Sequence, residues 1–129
     1  MLSCWEGLGL AENMILLITI SVLTLLGCLF SAFASFDRLV KLEYGKHKDC
    51  WVADGKPMGL LGWRSGEGGL FKSALATNIL SFVWLFSTPG WALNDSEARR
   101  CLTKLRWCVL IWNIGFVACC VVALLMSVE

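Results

Sequence analysis

Two long uncharged stretches constrain this chain more than any other feature. The first, Asn13 to Phe36, reads "NMILLITISVLTLLGCLFSAFASF", 24 residues without Asp, Glu, Lys or Arg. The second, Trp107 to Ser127, reads "WCVLIWNIGFVACCVVALLMS", 21 residues that are also uncharged. As helices they would extend about 36 Å and about 32 Å, enough to cross a hydrocarbon layer of about 30 Å. We therefore expect two transmembrane helices, at 13–36 and 107–127.

The composition agrees with this expectation. Of the 129 residues, 57% are hydrophobic and 16% are charged, which is typical of an integral membrane protein. Eleven Lys and Arg against ten Asp and Glu give almost no net charge, so we expect no nucleic acid partner. Residues 1–12 contain no basic residue, unlike a secretory signal, and we interpret them as a short exterior segment before an uncleaved anchor. The seven cysteines are mostly in or beside the two stretches, which argues against a disulfide scaffold.

The segment 70–91 is the ambiguous part of the chain. No residue between Ser73 and Asn94 is charged, which would permit a third span, but Pro89 and Gly90 would break its helix early. On a helical wheel most of its apolar residues share one face and its small polar residues the other, with Trp84 and Leu85 as exceptions on the polar side. The apolar face comprises Phe71, Leu75, Ile79, Phe82, Val83 and Phe86, and the polar face Ser73, Thr77, Asn78 and Ser81. We predict an amphipathic interfacial or re-entrant helix with its polar face in water and headgroups; the alternative is a third span.

The distribution of basic residues predicts the topology. All eleven lie between Arg38 and Arg106. Cytoplasmic segments of membrane proteins carry the excess of Lys and Arg. If 70–91 does not cross, the whole of 37–106 faces the cytoplasm and both termini face the exterior.

Residues 37–69 are predicted to form a small cytoplasmic region with a Gly-rich loop. Asp54 and Gly55, flanked by short apolar pieces, predict the turn of a small β-hairpin. Five glycines then follow between Gly59 and Gly69. Their spacing fits neither the P-loop nor the dinucleotide-binding pattern, so we expect an ordinary loop.

The stretch "NDSEARRCLTKLRWCV" predicts the start of a long helix. Asn94 or Asp95 can cap it, and no helix breaker follows through Met126. We therefore expect a basic cytoplasmic helix at 94–106 that continues into the second span. Its basic collar is expected to contact lipid headgroups or a protein partner. The collar residues are Arg99, Arg100, Lys104 and Arg106.

Small residues recur on both spans at helical spacing, which allows close approach of two backbones. On the first span they include Gly27, Cys28 and Ser31, and on the last Gly115, Cys119 and Ala123. Such faces favour an intramolecular hairpin and a homo-oligomer equally.

Taken together, the sequence predicts an all-α integral membrane protein, and its last third carries a resemblance. Residues 95–125, with Arg99, Arg100, Cys101 and Arg106 in "EARRCLTKLRW", are similar to small bacterial inner-membrane proteins of the universal stress protein B group. The resemblance implies a bacterial cytoplasmic membrane location and a stress-linked role. The middle, with "DGKPMGLLGW", departs from that group.

Three functional classes follow, and in the first the protein is not an enzyme. We expect an accessory or interaction subunit that binds membrane lipids and a membrane-protein partner or further copies of itself. The sequence predicts no catalytic residue, cofactor or metal site, since its one histidine, His47, has only Cys50 at a ligand-like spacing. The alternatives are a holin-like or pore-forming homo-oligomer and a membrane-bound enzyme acting on a lipid-like substrate.

Overall fold

A computed structural model describes the backbone of residues 2–67 and 69–127, and the side chains of 12–67, 69–125 and 127. The predicted exterior segment 1–12 therefore lies almost entirely outside the described side chains. All regular structure in the described ranges is helical. The helices are α1 (Leu2–Lys46), α2 (Lys48–Ala53), α3 (Leu70–Phe86), a 3₁₀ helix (Gly90–Leu93) and α4 (Ser96–Ser127).

Helices α1 and α4 form an antiparallel pair. Near one end Lys46 bonds to Asp95, with Nζ and Oδ2 2.8 Å apart. Near the middle Leu25 packs directly on Gly115, where an added Cβ would come within 2.5 Å of the Leu25 Cδ2. Both helices are long and apolar enough to cross a membrane. Their apolar halves expose large side chains such as Ile15 and Leu124, which would be costly in water.

The buried core begins at the end of the first apolar stretch, with Ala32 and Phe36, and extends along the part of both helices that continues beyond these stretches. We call this part, residues 36–106, the head. Its core side chains come from every helix of the chain, and each large one contributes about 1.5–3 kcal/mol when fully buried. They include Phe36, Leu39, Val40, Trp51, Leu80, Trp84, Ala92, Ala98, Leu102 and Leu105. Phe36 and Trp84 meet at the centre, with ring centroids 5.3 Å apart.

Helix α3 turns part of its polar face toward the protein. The expectation that this face meets water is wrong for Ser73 and Thr77, which are buried, whereas Asn78 is exposed and Ser81 is half-buried. Thr77 is only 3% exposed, whereas Phe71 is 85% and Phe86 is 81% exposed. The Thr77 hydroxyl accepts a hydrogen bond from the Met58 N–H at 2.8 Å and has the Ser73 carbonyl oxygen at 2.8 Å as an acceptor. At Ser73 and Thr77 the small polar side chains therefore allow close packing and satisfy buried backbone groups, and the apolar face is left outside.

The predicted β-hairpin at Asp54 and Gly55 is absent from the described residues. The turn exists, with positive φ at Gly55 (87°) and Lys56 (59°), but a helix precedes it. In that helix, α2, Trp51 is wholly buried and its indole N–H donates to the Pro57 carbonyl oxygen at 3.0 Å. An isolated two-stranded hairpin is marginal in water, and the helical turn buries this indole in the core instead.

The Gly-rich loop is held to α1 by a buried carboxylate. Asp37 lies one residue beyond the apolar stretch, and the N–H groups of Leu60 and Leu61 both donate to it, Leu61 at 3.1 Å to Oδ2. Gly59 fits against the same group, since an added Cβ would lie 2.5 Å from Asp37 Oδ2. Only glycine lets the loop backbone come this close.

Gly59→Ala should therefore destabilise the protein by about 1–3 kcal/mol, the usual cost of forcing a group into a filled site. Gly69→Ala is the matched control, because an added Cβ there meets no described atom within 4 Å. Thermal unfolding of the detergent-solubilised protein should show a lowered midpoint for Gly59→Ala alone. Equal midpoints for the two variants would contradict this packing.

Candidate functional site

Three of the four basic collar residues line an open groove on α4. Arg99, Arg100 and Lys104 are all exposed. The groove has a volume of about 630 Å³ and ends at Trp107, where the second apolar stretch begins. Its remaining lining residues are Ser96 and Thr103. The helix places these residues on one side because they recur every three or four positions.

Arg106, the fourth collar residue, has a different place. Its Nε donates to the Trp84 carbonyl oxygen at 3.1 Å, and its second guanidinium nitrogen donates to the Thr88 hydroxyl at 3.1 Å. Trp84 lies near the carboxyl end of α3, where the last carbonyls lack helical partners. Arg106 therefore ties α3 to α4 and is not part of the groove.

On the opposite face of the first turn of α4, two acidic side chains pair with basic side chains of α1. Asp95 caps α4 by accepting from the N–H groups of Glu97 (2.9 Å) and Ala98 (3.2 Å), and it also bonds to Lys46. The Lys46 hydrogen bond, together with those from the backbone, lowers the pKa of Asp95. Glu97 accepts from Arg38 Nε at 2.9 Å. These pairs face α1.

The groove cations have no such partner. Within the described parts of the chain, no carboxylate oxygen lies within 4.0 Å of Arg99, Arg100 or Lys104. The two acids nearest in sequence, Asp95 and Glu97, are already paired with α1. The groove can therefore attract an anion from outside the chain.

A second chemically unusual group, Glu43, is buried inside the head. Its side chain is 0% exposed, and neither carboxyl oxygen has a hydrogen-bond partner among the described residues. The Trp91 indole N–H nearby is also unpartnered in the described part of the chain. Burial, with a smaller contribution from the Asp54 carboxyl beside it, raises the pKa of Glu43 to about 8. Glu43 is therefore mainly protonated at neutral pH, because ionisation without donors is costly.

The predicted packing residues fall in different surroundings. Gly115 packs on Leu25, and Cys119 and Ala123 line an apolar cavity of about 380 Å³ between the two long helices. The opposite wall of that cavity includes Ser21. On α1, Cys28 and Ser31 are half-buried. Gly27 is exposed, and an added Cβ there meets no described atom within 4 Å, so Gly27 takes no part in the contact between α1 and α4.

His47 and Cys50, the pair with ligand-like spacing, are placed by packing. The His47 ring lies 5.3 Å from the Trp91 ring, and Cys50 is half-buried at the core edge. Among the described side chains, no three of the metal-binding types come together.

Sequence reasoning missed both buried acids. Asp37 and Glu43 stand among charged residues in "DRLVKLEYGKHKD", a composition typical of a segment exposed to water. The signal for Glu43 was its spacing, because Phe36, Val40 and Glu43 recur at positions that share one helical face. No comparable periodic signal existed for Asp37, whose partners are 23 or more residues away.

Comparison of the chain with protein family models, with curated proteins and with solved structures gives no match. The resemblance of residues 95–125 to the universal stress protein B group therefore stays a prediction.

The buried acid predicts a pH dependence of stability. Because the pKa of Glu43 is about 8 when folded and 4.5 ordinarily, the folded state holds one more proton between these values. The free energy of unfolding should therefore decrease as the pH rises from about 4.5 to about 8 and level off above that. Glu43→Gln, which stays neutral, should remove most of this decrease.

The measurement is the thermal unfolding midpoint in detergent between pH 5 and pH 9. Asp49→Asn is the matched control, since it removes an exposed acid of α2. Its curve should run parallel to that of the unmodified protein. A parallel curve for Glu43→Gln as well would contradict a neutral buried Glu43.

Proposed function

We propose that the protein is an accessory or interaction subunit of a larger membrane complex, anchored by two transmembrane helices at 13–36 and 107–127. In this arrangement the head lies on the cytoplasmic side and presents a rigid surface to a partner. Both termini lie outside, in accord with the confinement of all eleven basic residues to 38–106. A bacterial cytoplasmic membrane and a stress-linked role are further parts of the proposal and rest on the resemblance of residues 95–125.

The observation that carries the proposal is the folded head. A simple anchor needs only its spans, whereas this chain packs residues from all its helices into one core. Trp51 and Trp84 are both buried in it. Ion pairs from Arg38 to Glu97 and from Lys46 to Asp95 connect α1 and α4 beyond the apolar stretches. A surface fixed in this way is suited to binding another protein, because little side-chain and loop ordering remains to oppose association.

The position of α3 supports an interfacial helix. Near its carboxyl end Trp84 contacts Phe36 and is bonded by Arg106, the last residue before the second apolar stretch. In the middle of α3, the Thr77 hydroxyl hydrogen-bonds to Met58. Met58 precedes the loop residues that hydrogen-bond to Asp37, which lies just after the first apolar stretch. If α3 crossed the membrane, its 17 residues would carry the chain about 25 Å away from the cytoplasmic ends of the two spans.

In this position the exposed phenylalanines of α3 contact the membrane and not water. Phe71, Phe82 and Phe86 lie outside the core, and the acyl boundary of the membrane is the apolar medium next to them. The helix and the two spans would together fix the depth and tilt of the head.

Mild extraction of the tagged full-length chain from its native membrane tests the function. We expect a stoichiometric complex with a second membrane protein, seen by size-exclusion chromatography and intact-complex mass spectrometry. A chain that migrates alone, or only as a homo-oligomer that leaks ions in vesicles, would contradict the proposal. The second result would favour the pore-forming alternative.

Two variants show which part of the protein contacts the partner. Val52→Ser changes an exposed side chain of the head, and Ala118→Leu fills the cavity between the long helices. Loss of the complex in the first variant alone assigns the partner to the head. Loss in the second alone would contradict the head as the binding surface.

A further inference from the structure

We propose that the groove formed by Arg99, Arg100, Lys104 and Trp107 binds the headgroup of one anionic phospholipid that carries no ammonium group. This inference rests on the membrane placement in the proposed function. It goes beyond a general basic collar because it assigns three of the four cations to one site and excludes Arg106.

The groove lies at the depth of the lipid headgroups. Trp107 is 60% exposed at the start of the second apolar stretch, and tryptophan prefers the level of the headgroups. Lys104 and Arg100 lie about 4.5 Å and about 10 Å below it along the helix axis. Both side chains are long enough to extend upward to the phosphate layer while their stems cover the helix. The groove thus places its charges where lipid phosphates lie.

Charge is the second argument. The groove cations have no acidic partner in the described ranges, whereas two cations of α1, Arg38 and Lys46, are each paired with an acid. A guanidinium can donate two parallel hydrogen bonds to a phosphate, and an ammonium acts as a compact charge beside it. Arg100 and Lys104 are one turn apart, so one phosphodiester can contact both.

The remaining lining selects the type of headgroup. With Arg99 as a third cation, a choline or ethanolamine ammonium would be repelled, whereas a polyhydroxyl headgroup would not. The hydroxyls of Ser96 and Thr103 line the same groove and can hydrogen-bond to such a headgroup. The apolar side of Trp107 is then available to the first acyl carbons.

Lipid binding to the purified full-length chain in uncharged detergent micelles tests the site. The probes are phosphatidylglycerol, phosphatidylcholine with the same chains, and soluble glycerol phosphate, with bound molecules counted by native mass spectrometry over a concentration series. We expect one phosphatidylglycerol per chain at low concentration. We expect much weaker binding of phosphatidylcholine and of glycerol phosphate.

The decisive variant is the double substitution Arg100→Gln with Lys104→Gln. It should weaken phosphatidylglycerol binding by about tenfold or more, since each cation near an anionic headgroup contributes on the order of a factor of five. Arg64→Gln with Lys72→Gln removes two exposed cations outside the groove and should change binding less than about twofold. The exchange Arg100→Lys with Lys104→Arg keeps the charge and should retain binding, which separates loss of charge from misfolding.

Three outcomes would overturn the site. Equal weakening in the two charge-removal variants would mean general electrostatic attraction, and equal binding of phosphatidylcholine would mean no headgroup selection. Glycerol phosphate binding as tightly as the lipid would mean a site for a free phosphate compound. These results are independent of the proposed accessory role, because the assay contains no partner protein and a lost complex would leave lipid binding unchanged.

Discussion

The continuation of α1 and α4 past their apolar stretches is the arrangement on which the rest of the head depends. Phe36 and Leu39 of α1 pack with Leu102 and Leu105 of α4 in one buried cluster. Without this contact the two helices would end as separate stems, and Trp51 would have no core to enter. The burial of these large apolar groups is the main stabilising term for so small a head, since surface ion pairs contribute little.

Two buried acids of α1 differ in the hydrogen-bond donors that surround them. Asp37 is buried, and its carboxyl oxygens accept hydrogen bonds from backbone N–H groups of the Gly-rich loop. Glu43, six residues further along, has no described donor in hydrogen-bond geometry, and burial raises its pKa to about 8. Asp37 therefore organises a loop, whereas Glu43 is expected to make the stability of the head depend on pH.

The sequence was sufficient for the features that depend on periodicity and length. The two long helices, the extension of α4 into the head and the cap at Asp95 follow from uncharged runs and local spacing. The sequence was not sufficient to predict features that depend on contacts between residues far apart in the chain. The Asp54–Gly55 turn suggested strands, but burial of Trp51 favours a helix before it. The two faces of α3 were recognised, yet which face packs inward depends on Met58, whose N–H needs the Thr77 hydroxyl.

The candidate site shows the same division. The cluster of cations at 99–106 is evident in the sequence, but a list of charges does not separate Arg106, which bonds to α3, from the three that face outward. The small-residue faces also look equivalent in sequence, although Gly115 touches α1 and Gly27 faces open space. In both cases the deciding factor is the direction of the side chain on its helix, which depends on the tertiary contact.

The central claim is that the whole head lies on one side of the membrane, between two crossings. Reporter fusions made after residue 92 and at the C-terminus test it most directly. We expect a cytoplasmic signal after residue 92 and an exterior signal at the C-terminus. An exterior signal after residue 92 would mean that residues 70–86 cross the membrane, and it would contradict the account.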